Sequence, residues 1–220
     1  MQPLDLILLG PVGAGKGTQA RRIVAKYGIP HIASGDLLRA HRARETPLGR
    51  QAKDYMDRGA LVPDDLVITM IVERMRQPDA NHGVLLDGFP RTLAQAQALD
   101  LELKEEGREL THALYLKVPF DVLVARAAGR WTCSTCQATY NYEARPPRQH
   151  GVCDLDGGTL YQREDDRLDV VSERINVYIR DTVPVVDYYR ERGILGEIDG
   201  TQDISGVAAA IEAQLEAAVC

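Results

Sequence analysis

The sequence predicts an α/β fold: a parallel five-stranded sheet with helices on both faces, interrupted by one insertion. Three observations predict it. Short apolar runs alternate with helical periodicities along nearly the whole chain, and that alternation builds a parallel sheet through helical crossovers. Runs such as Val84-Leu85-Leu86 are continuously apolar, the pattern of a strand buried on both faces. The first apolar run passes straight into a glycine-rich loop and then a helix, the order strand, loop, helix.

The first strand covers 6–9. Its loop, Gly10-Pro11-Val12-Gly13-Ala14-Gly15-Lys16-Gly17-Thr18, leads into a helix over 19–27. Glycines let such a loop curl until successive backbone N–H groups point at one anion. The helix behind it adds the positive end of its dipole and its unpaired amides. Lys16 supplies mobile positive charge for outer phosphates, and Thr18 a hydroxyl beside a metal ion. A tight glycine turn without a ligand needs neither Lys16 nor this setting. One departure from the general phosphate-loop motif is Gly17, which stands between the lysine and the hydroxyl residue.

Residues 29–33 form a second short strand, which runs into Ser34-Gly35-Asp36-Leu37-Leu38-Arg39, a turn that opens a helix. A helix over 47–56 is closed by Gly59. Leu61-Val62-Pro63-Asp64-Asp65 starts another, with an acidic first turn suited to its dipole, ending near residue 75. A loop over 78–83 precedes a strand at 84–87 and the turn Gly88-Phe89-Pro90-Arg91-Thr92, followed by a helix to about 106. A strand at 113–118 and a helix from Asp121 come next. From about 131 to 166 the pattern breaks: few aliphatics, many Cys, Gly, Pro and Tyr. Helical periodicity resumes over 170–192, then a strand at 194–198 and an amphipathic helix over 205–218. Because the alternation resumes, 129–166 is an insertion into one core unit made of 1–128 and 167–220. In such sheets ligands sit beyond the carboxyl ends of the strands. The glycine loop, Asp87 and Ser34-Gly35-Asp36 should therefore share one cleft.

A chain of 220 residues can bury one core with a modest insertion. Its net charge of −6 argues against a generally basic, nucleic-acid-binding surface. No apolar run approaches the ~20 residues that span a bilayer, and Met1-Gln2-Pro3-Leu4-Asp5 lacks the basic start of a signal peptide. The expectation is a cytoplasmic enzyme with no membrane partner. Three of the four cysteines cluster between 133 and 153, unlike a disulfide framework, and Cys220 reads as a free terminal thiol.

Asp87 ends a strand expected beside the glycine loop. A carboxylate there can hold Mg²⁺, directly or through water, next to a triphosphate. Arg39, Arg91, Arg126, Arg130, Arg163 and Arg174 fall near turns or helix ends around the same cleft. Arginine forks match phosphate oxygens, and transfer between two phosphate-bearing substrates needs several cations to hold like charges in line. Any one of these could be a surface charge; the case rests on the set. In the insertion, Cys133-x2-Cys136-x16-Cys153-x2-Asp156 matches the spacing of a tetrahedral zinc site. Three thiolates and a carboxylate close the shell, so the metal would be structural. His150 is off that spacing and reads as a surface loop residue.

These motifs together resemble the adenylate kinase family of nucleoside monophosphate kinases. The loop variant with Gly17 before Thr18, the block Asp87-Gly88-Phe89-Pro90-Arg91-Thr92 with Gln95, and the blocks 34–39 and 59–63 all resemble family signatures. The similarity runs across nearly the whole chain. It implies a phosphate-loop NTPase-type core, an AMP-binding segment over 33–62, and a zinc-bearing lid over 129–166 like that of some bacterial members. It implies that Gly13, Ala14, Gly15, Lys16, Gly17 and Thr18 hold ATP together with Arg126, Arg130, Thr139, Tyr140 and the backbone at Gln202. Arg39 and Arg91 would grip the AMP phosphate and Gln95 would read the adenine edge. Ser34, Met56, Ala60, Leu61 and Val62 would line that site with Gly88, Phe89 and Pro90. Arg163, Asp165 and Asp166 resemble the hinge of the lid, and Arg174 the family's helix arginine toward the phosphates. Ser34 stands where many members carry threonine, and Gln202 where lysine is common. The implied reaction is Mg-ATP + AMP ⇌ 2 ADP, by a monomer.

Two other readings deserve comparison. A uridylate- or guanylate-preferring kinase shares the fold, but the long cysteine-bearing lid and Gln95 disfavour it. A zinc ribbon that binds nucleic acid would want a basic insertion. Residues 129–166 instead hold four arginines, no lysine and six acidic residues, a net of −2.

Overall fold

Leu6, Ile7, Leu8 and Leu9 set the architecture, because strand β1 (Leu4–Leu9) is apolar on both faces from Leu6 onward. Ile7 and Leu9 point into one apolar cluster, Leu6 and Leu8 into another. A strand buried on both sides belongs inside a sheet that is covered on both sides. The computed structural model describes residues 3–219, so the expectations for Met1-Gln2 and Cys220 lie outside the described residues.

After β1 come α1 (Lys16–Tyr27), β2 (His31–Ala33), α2 (Ser34–Ala43), α3 (Pro47–Asp57) and α4 (Asp64–Met75). Then follow β3 (Gly83–Asp87), α5 (Leu93–Glu105), β4 (His112–Lys117) and α6 (Phe120–Ala128). The insertion supplies β5 (Arg130–Cys133), β6 (Thr139–Asn141) and β7 (Leu160–Tyr161). The chain ends with α7 (Leu168–Val177), α8 (Val183–Glu191), β8 (Leu195–Asp199) and α9 (Ile204–Val219). The five-stranded sheet has the order β2-β3-β1-β4-β8, all parallel. Helices α2 to α5 and α8 cover one face with residues such as Leu38, Ile71, Leu99 and Tyr189. Helices α1, α6, α7 and α9 cover the other with Ile23, Leu123, Ile175 and Ile211. No helix among the described residues is long and apolar enough to cross a membrane.

Three local differences from the sequence reading have physical causes. The strand expected from 29 begins at His31; Pro30 accepts from the Leu85 N–H (2.9 Å) but has no N–H to return. The helix expected over 170–192 is interrupted by a π-helical turn, Tyr178–Thr182, just before Pro184 in the first turn of α8. Proline cannot donate to the carbonyl four residues back, and a wider turn accommodates that loss. The insertion folds as a three-stranded antiparallel sheet, β6-β5-β7, whose strands of two to four residues are too short to show a period.

Candidate active site

The loop after β1 is shaped for an anion. Gly13 has φ +86°, and a Cβ there would lie 2.4 Å from the Leu123 carbonyl oxygen on α6, so a side chain is excluded. Helix α1 has Gly15 at its N-cap, no side-chain cap and no acid in its first turn. Its first amides and the positive end of its dipole are therefore unclaimed by side chains. The Lys16 ammonium donates to the carbonyls of Gly10 (2.8 Å) and Pro11 (3.2 Å) and lies 3.9 Å from Asp87 Oδ1. Burial pushes Lys16 down to about 8, although Asp87 pulls the other way.

Asp87 is carried to the cleft by the end of β3, paired in register with β1. Burial alone would raise its carboxyl, but Lys16, His31 and Arg91 outweigh burial and hold it below the usual range. His31 Nε2 lies 3.3 Å from Asp87 Oδ2. After β3 the chain turns at Gly88, with φ +72°, where a Cβ would sit 2.9 Å from both Arg91 Nη2 and Ser34 Oγ. That close approach lets the Ser34 hydroxyl (2.6 Å) and Arg91 Nε (2.8 Å) both donate to the Gly88 carbonyl.

The structure gathers the arginines from distant parts of the chain. Arg130 donates to Asp166, with Nε to Oδ2 at 2.8 Å; burial opposes its charge but the buried Asp166 carboxylate outweighs it. Arg174 donates to the Asp165 carbonyl (2.8 Å) and pairs with its carboxylate (3.0 Å). Burial lowers Arg174 to about 10, with Arg130 and Arg91 adding to the depression. Arg39 pairs with Asp36 and, at 3.8 Å, with Asp165. Arg163 is lowered by burial, donates to Gln137 Oε1 (3.1 Å), and among the described residues its buried Nε has no hydrogen-bond partner. Arg126 donates to the Gly200 carbonyl (2.8 Å), near Gln202.

These groups line one cleft of about 1070 Å³. The loop residues Gly13 to Thr18 form its floor, with Asp87, Gly88, Pro90 and Arg91 on one side. Arg39, Arg126, Arg130, Arg163 and Arg174 face into it, as do Gln202, Thr139 and Tyr140. A smaller cavity of about 70 Å³ adjoins it, lined by Ser34, Met56, Ala60, Leu61, Val62 and Gln95. Phe89 lines neither cavity; it is 1% exposed and packs in the apolar cluster under α2 to α5. Residues not singled out in the sequence also reach the cleft. Arg21 donates to the Gln137 carbonyl (2.6 Å) and ties α1 to the insertion. Tyr178 and Thr182 enter from the π turn, and the Thr182 hydroxyl donates to the Arg91 carbonyl (3.0 Å). Only the fold brings these positions together, so periodicity and spacing carry no signal for them.

Cys133, Cys136, Cys153 and Asp156 present donor atoms that all lie within 4.8 Å of one another. Cys133 Sγ is 3.3 Å from Asp156 Oδ1, and the Cys136 and Cys153 sulfurs are 3.6 Å apart. A disulfide needs about 2 Å, whereas the edge of a tetrahedral zinc–thiolate shell is about 3.8 Å. The Thr135 and Leu155 N–H groups donate to Cys133 and Cys153 sulfur at 3.3 and 3.5 Å, as they would to thiolates. Burial, then the neighbouring Asp156, Cys153 and Cys133, push the Cys136 thiol up to about 12. The donor set fits zinc and leaves no protein position open. His150 stays out of the cluster, exposed and stacked on Tyr142.

A family model described as adenylate kinase matches residues 8–194. The chain is 52% identical over 213 residues to a protein of Archaeoglobus fulgidus named adenylate kinase, covering 97% of this chain and 98% of that one. It is 51% identical to an adenylate kinase of Brevibacillus brevis (96% and 99% covered). A Bacillus subtilis adenylate kinase is 48% identical (95% and 96% covered).

Proposed function

The chain belongs to the adenylate kinase family, and on that premise we propose how its residues carry out reversible phosphoryl transfer from Mg-ATP to AMP, giving two ADP. The observation that carries the assignment of roles is the convergence of a phosphate loop and an arginine cage on one cleft, with a second cavity opening beside Arg91.

ATP lies with its outer phosphates in the loop 13–18, held by backbone amides and Lys16. Arg126, Thr139, Tyr140 and the Gln202 backbone border its nucleoside. AMP enters the cavity beside Gln95, with its phosphate on Arg39 and Arg91. Arg130, Arg163 and Arg174 surround the group in transit. Bound with ATP, Mg²⁺ neutralises charge between phosphates, and Asp87 with Thr18 would hold it. The protein has little covalent chemistry to do: it aligns the reactants, compensates charge and excludes water. Arg91 is suited to alignment because its backbone and side chain are pinned at three points, by Gln95, Gly88 and Thr182.

Zinc, held by Cys133, Cys136, Cys153 and Asp156, supports the lid and takes no part in transfer. The lid over 129–166 closes over ATP and the segment 33–62 over AMP, a motion described for adenylate kinases in general. Three reduced thiols in the ligand set fit a cytoplasmic setting. The test is a panel of nucleoside monophosphates with Mg-ATP, reading diphosphate formation. AMP should be the best acceptor; faster phosphorylation of UMP or GMP would overturn the reading.

A further inference from the structure

Behind Gln95 lies a hydrogen-bond network that the reaction does not itself require. Gln95 is 2% exposed and lines the smaller cavity. Its Nε2 donates to Asp64 Oδ1 (2.7 Å), and its Oε1 accepts from the Arg91 N–H (2.8 Å). Asp64 does not line either cavity; it stands in the first turn of α4 and also accepts from the Thr92 hydroxyl (2.8 Å). Thr92 in turn caps α5 by accepting from the Gln95 N–H (3.2 Å).

We propose that Asp64 is a specificity-determining positioning residue: with the Arg91 N–H it locks the Gln95 amide in the orientation that accepts a 6-aminopurine and refuses a 6-oxopurine. The inference rests on the reading that Gln95 faces the acceptor base. The orientation follows from chemistry alone. A carboxylate only accepts and a backbone N–H only donates, so Nε2 must face Asp64 and Oε1 must face Arg91. One N–H and one oxygen lone pair then remain for a ligand, in fixed order. Adenine offers an amino donor to the oxygen and an unprotonated ring nitrogen to the N–H. A 6-oxopurine in the same seat offers a carbonyl and a protonated ring nitrogen, the reverse order.

To bind that base, the amide must turn over. Oε1 would then face the Asp64 carboxylate, acceptor against acceptor, and Nε2 the Arg91 N–H, donor against donor. Both mismatches are buried, where an unmade hydrogen bond is most costly. Asp64→Asn removes half of the lock, because an asparagine can present either a donor or an acceptor to Gln95.

The experiment compares kcat/KM for AMP and for IMP, with Mg-ATP, in the wild type, Asp64→Asn and Gln95→Leu. IMP carries the 6-oxo group without the extra amino group of GMP, so the ratio reads the Gln95 edge alone. The expected result is that Asp64→Asn lowers the AMP/IMP ratio by about tenfold or more, in part by raising IMP turnover itself. A purely structural role would lower both substrates together and leave the ratio where it was; that result overturns the proposal. Gln95→Leu separates the two failures. If it collapses the ratio while Asp64→Asn does not, Gln95 reads the base but Asp64 does not set it. If Gln95→Leu leaves the ratio unchanged, the reading of Gln95 falls and the lock with it. Should Asp64→Asn not fold, Asp64→Ser serves: its hydroxyl suits a first helical turn and is too short to hold the Gln95 amide.

Discussion

Lys16→Met should abolish turnover and yet make the empty protein more stable. The Lys16 side chain is 16% exposed, and burial moves its ammonium from 10.5 to about 8. At 1.36 kcal/mol per pH unit, holding that charge in the native cleft at pH 7 costs on the order of 3 kcal/mol. The methionine variant escapes this cost. It gives up hydrogen bonds to the Gly10 and Pro11 carbonyls, which face the cleft and can bond water instead. A net gain of about 2 kcal/mol corresponds to roughly 5 °C in Tm for a chain of this size. The pH dependence has a definite sign. The folded value lies below the unfolded one, so between about 8 and 10.5 the unfolded chain binds more protons and wild-type stability from this group rises with pH. The advantage of Lys16→Met should therefore be full at pH 7 and shrink as pH rises above 8. The assay is thermal unfolding without nucleotide at pH 7 and 9.5, beside ADP formation. A variant that melts at or below the wild type at pH 7, or whose advantage is constant with pH, refutes the reasoning.

Arg91→Lys keeps the charge but loses the planar fork and the Nε bond to Gly88, so kcat/KM for AMP should fall on the order of a hundredfold; near-wild-type values would remove Arg91 from the phosphate site. Stripping metal should lower Tm and open 133–156 to protease, because the insertion's own apolar cluster contains only five buried residues; Asp156→Cys should keep zinc and Asp156→Ala should weaken it, read as metal per chain. A protein that holds no zinc, and melts unchanged when zinc is added, discards the site. Burial alone would raise Asp165, but Arg174, Arg39, Arg130 and Arg163 hold it below its usual value. Its stabilisation is therefore present above the unfolded pKa of 3.8 and is lost as pH falls through the lower folded value. Asp165→Asn should lower Tm at pH 7 by more than at pH 3, and equal losses at both would contradict this.

The sheet was legible because burial on two faces leaves little room for unpaired polar residues, and Leu6 to Leu9 state that directly. The loop and Asp87 were legible because a phosphate needs glycine, an amide-rich turn and a charge within a short stretch. The clustering of Cys133, Cys136, Cys153 and Asp156 was legible from spacing. What was not legible depends on contacts across the fold. Nothing in residues 21 and 137 foretells their hydrogen bond, nor does residue 182 announce that it holds the Arg91 carbonyl. Phe89 shows the opposite case: it lies inside a signature that builds the site, and its own side chain serves the core.

The acids around the cleft explain how so many cations coexist there. Lys16 is depressed not only by burial but by Arg91, Arg174 and Arg130, so the cage is under mutual repulsion. Asp36, Asp87, Asp165 and Asp166 each stand against one or more of these cations. Two of the pairings are partial: among the described residues Arg163 keeps an unpartnered Nε, and Lys16 rests on neutral carbonyls. Incomplete pairing is the useful condition. A fully neutralised cage would have no affinity left for phosphate, and an uncompensated one would destabilise the fold by burying bare charge. On the proposed reading, phosphate oxygens entering the cleft would supply the missing partners, and substrate binding and relief of the cage would be the same event. Most of the resulting stabilisation should appear where charge is delocalised over the transferring group, which is the condition for catalysis by electrostatic preorganisation.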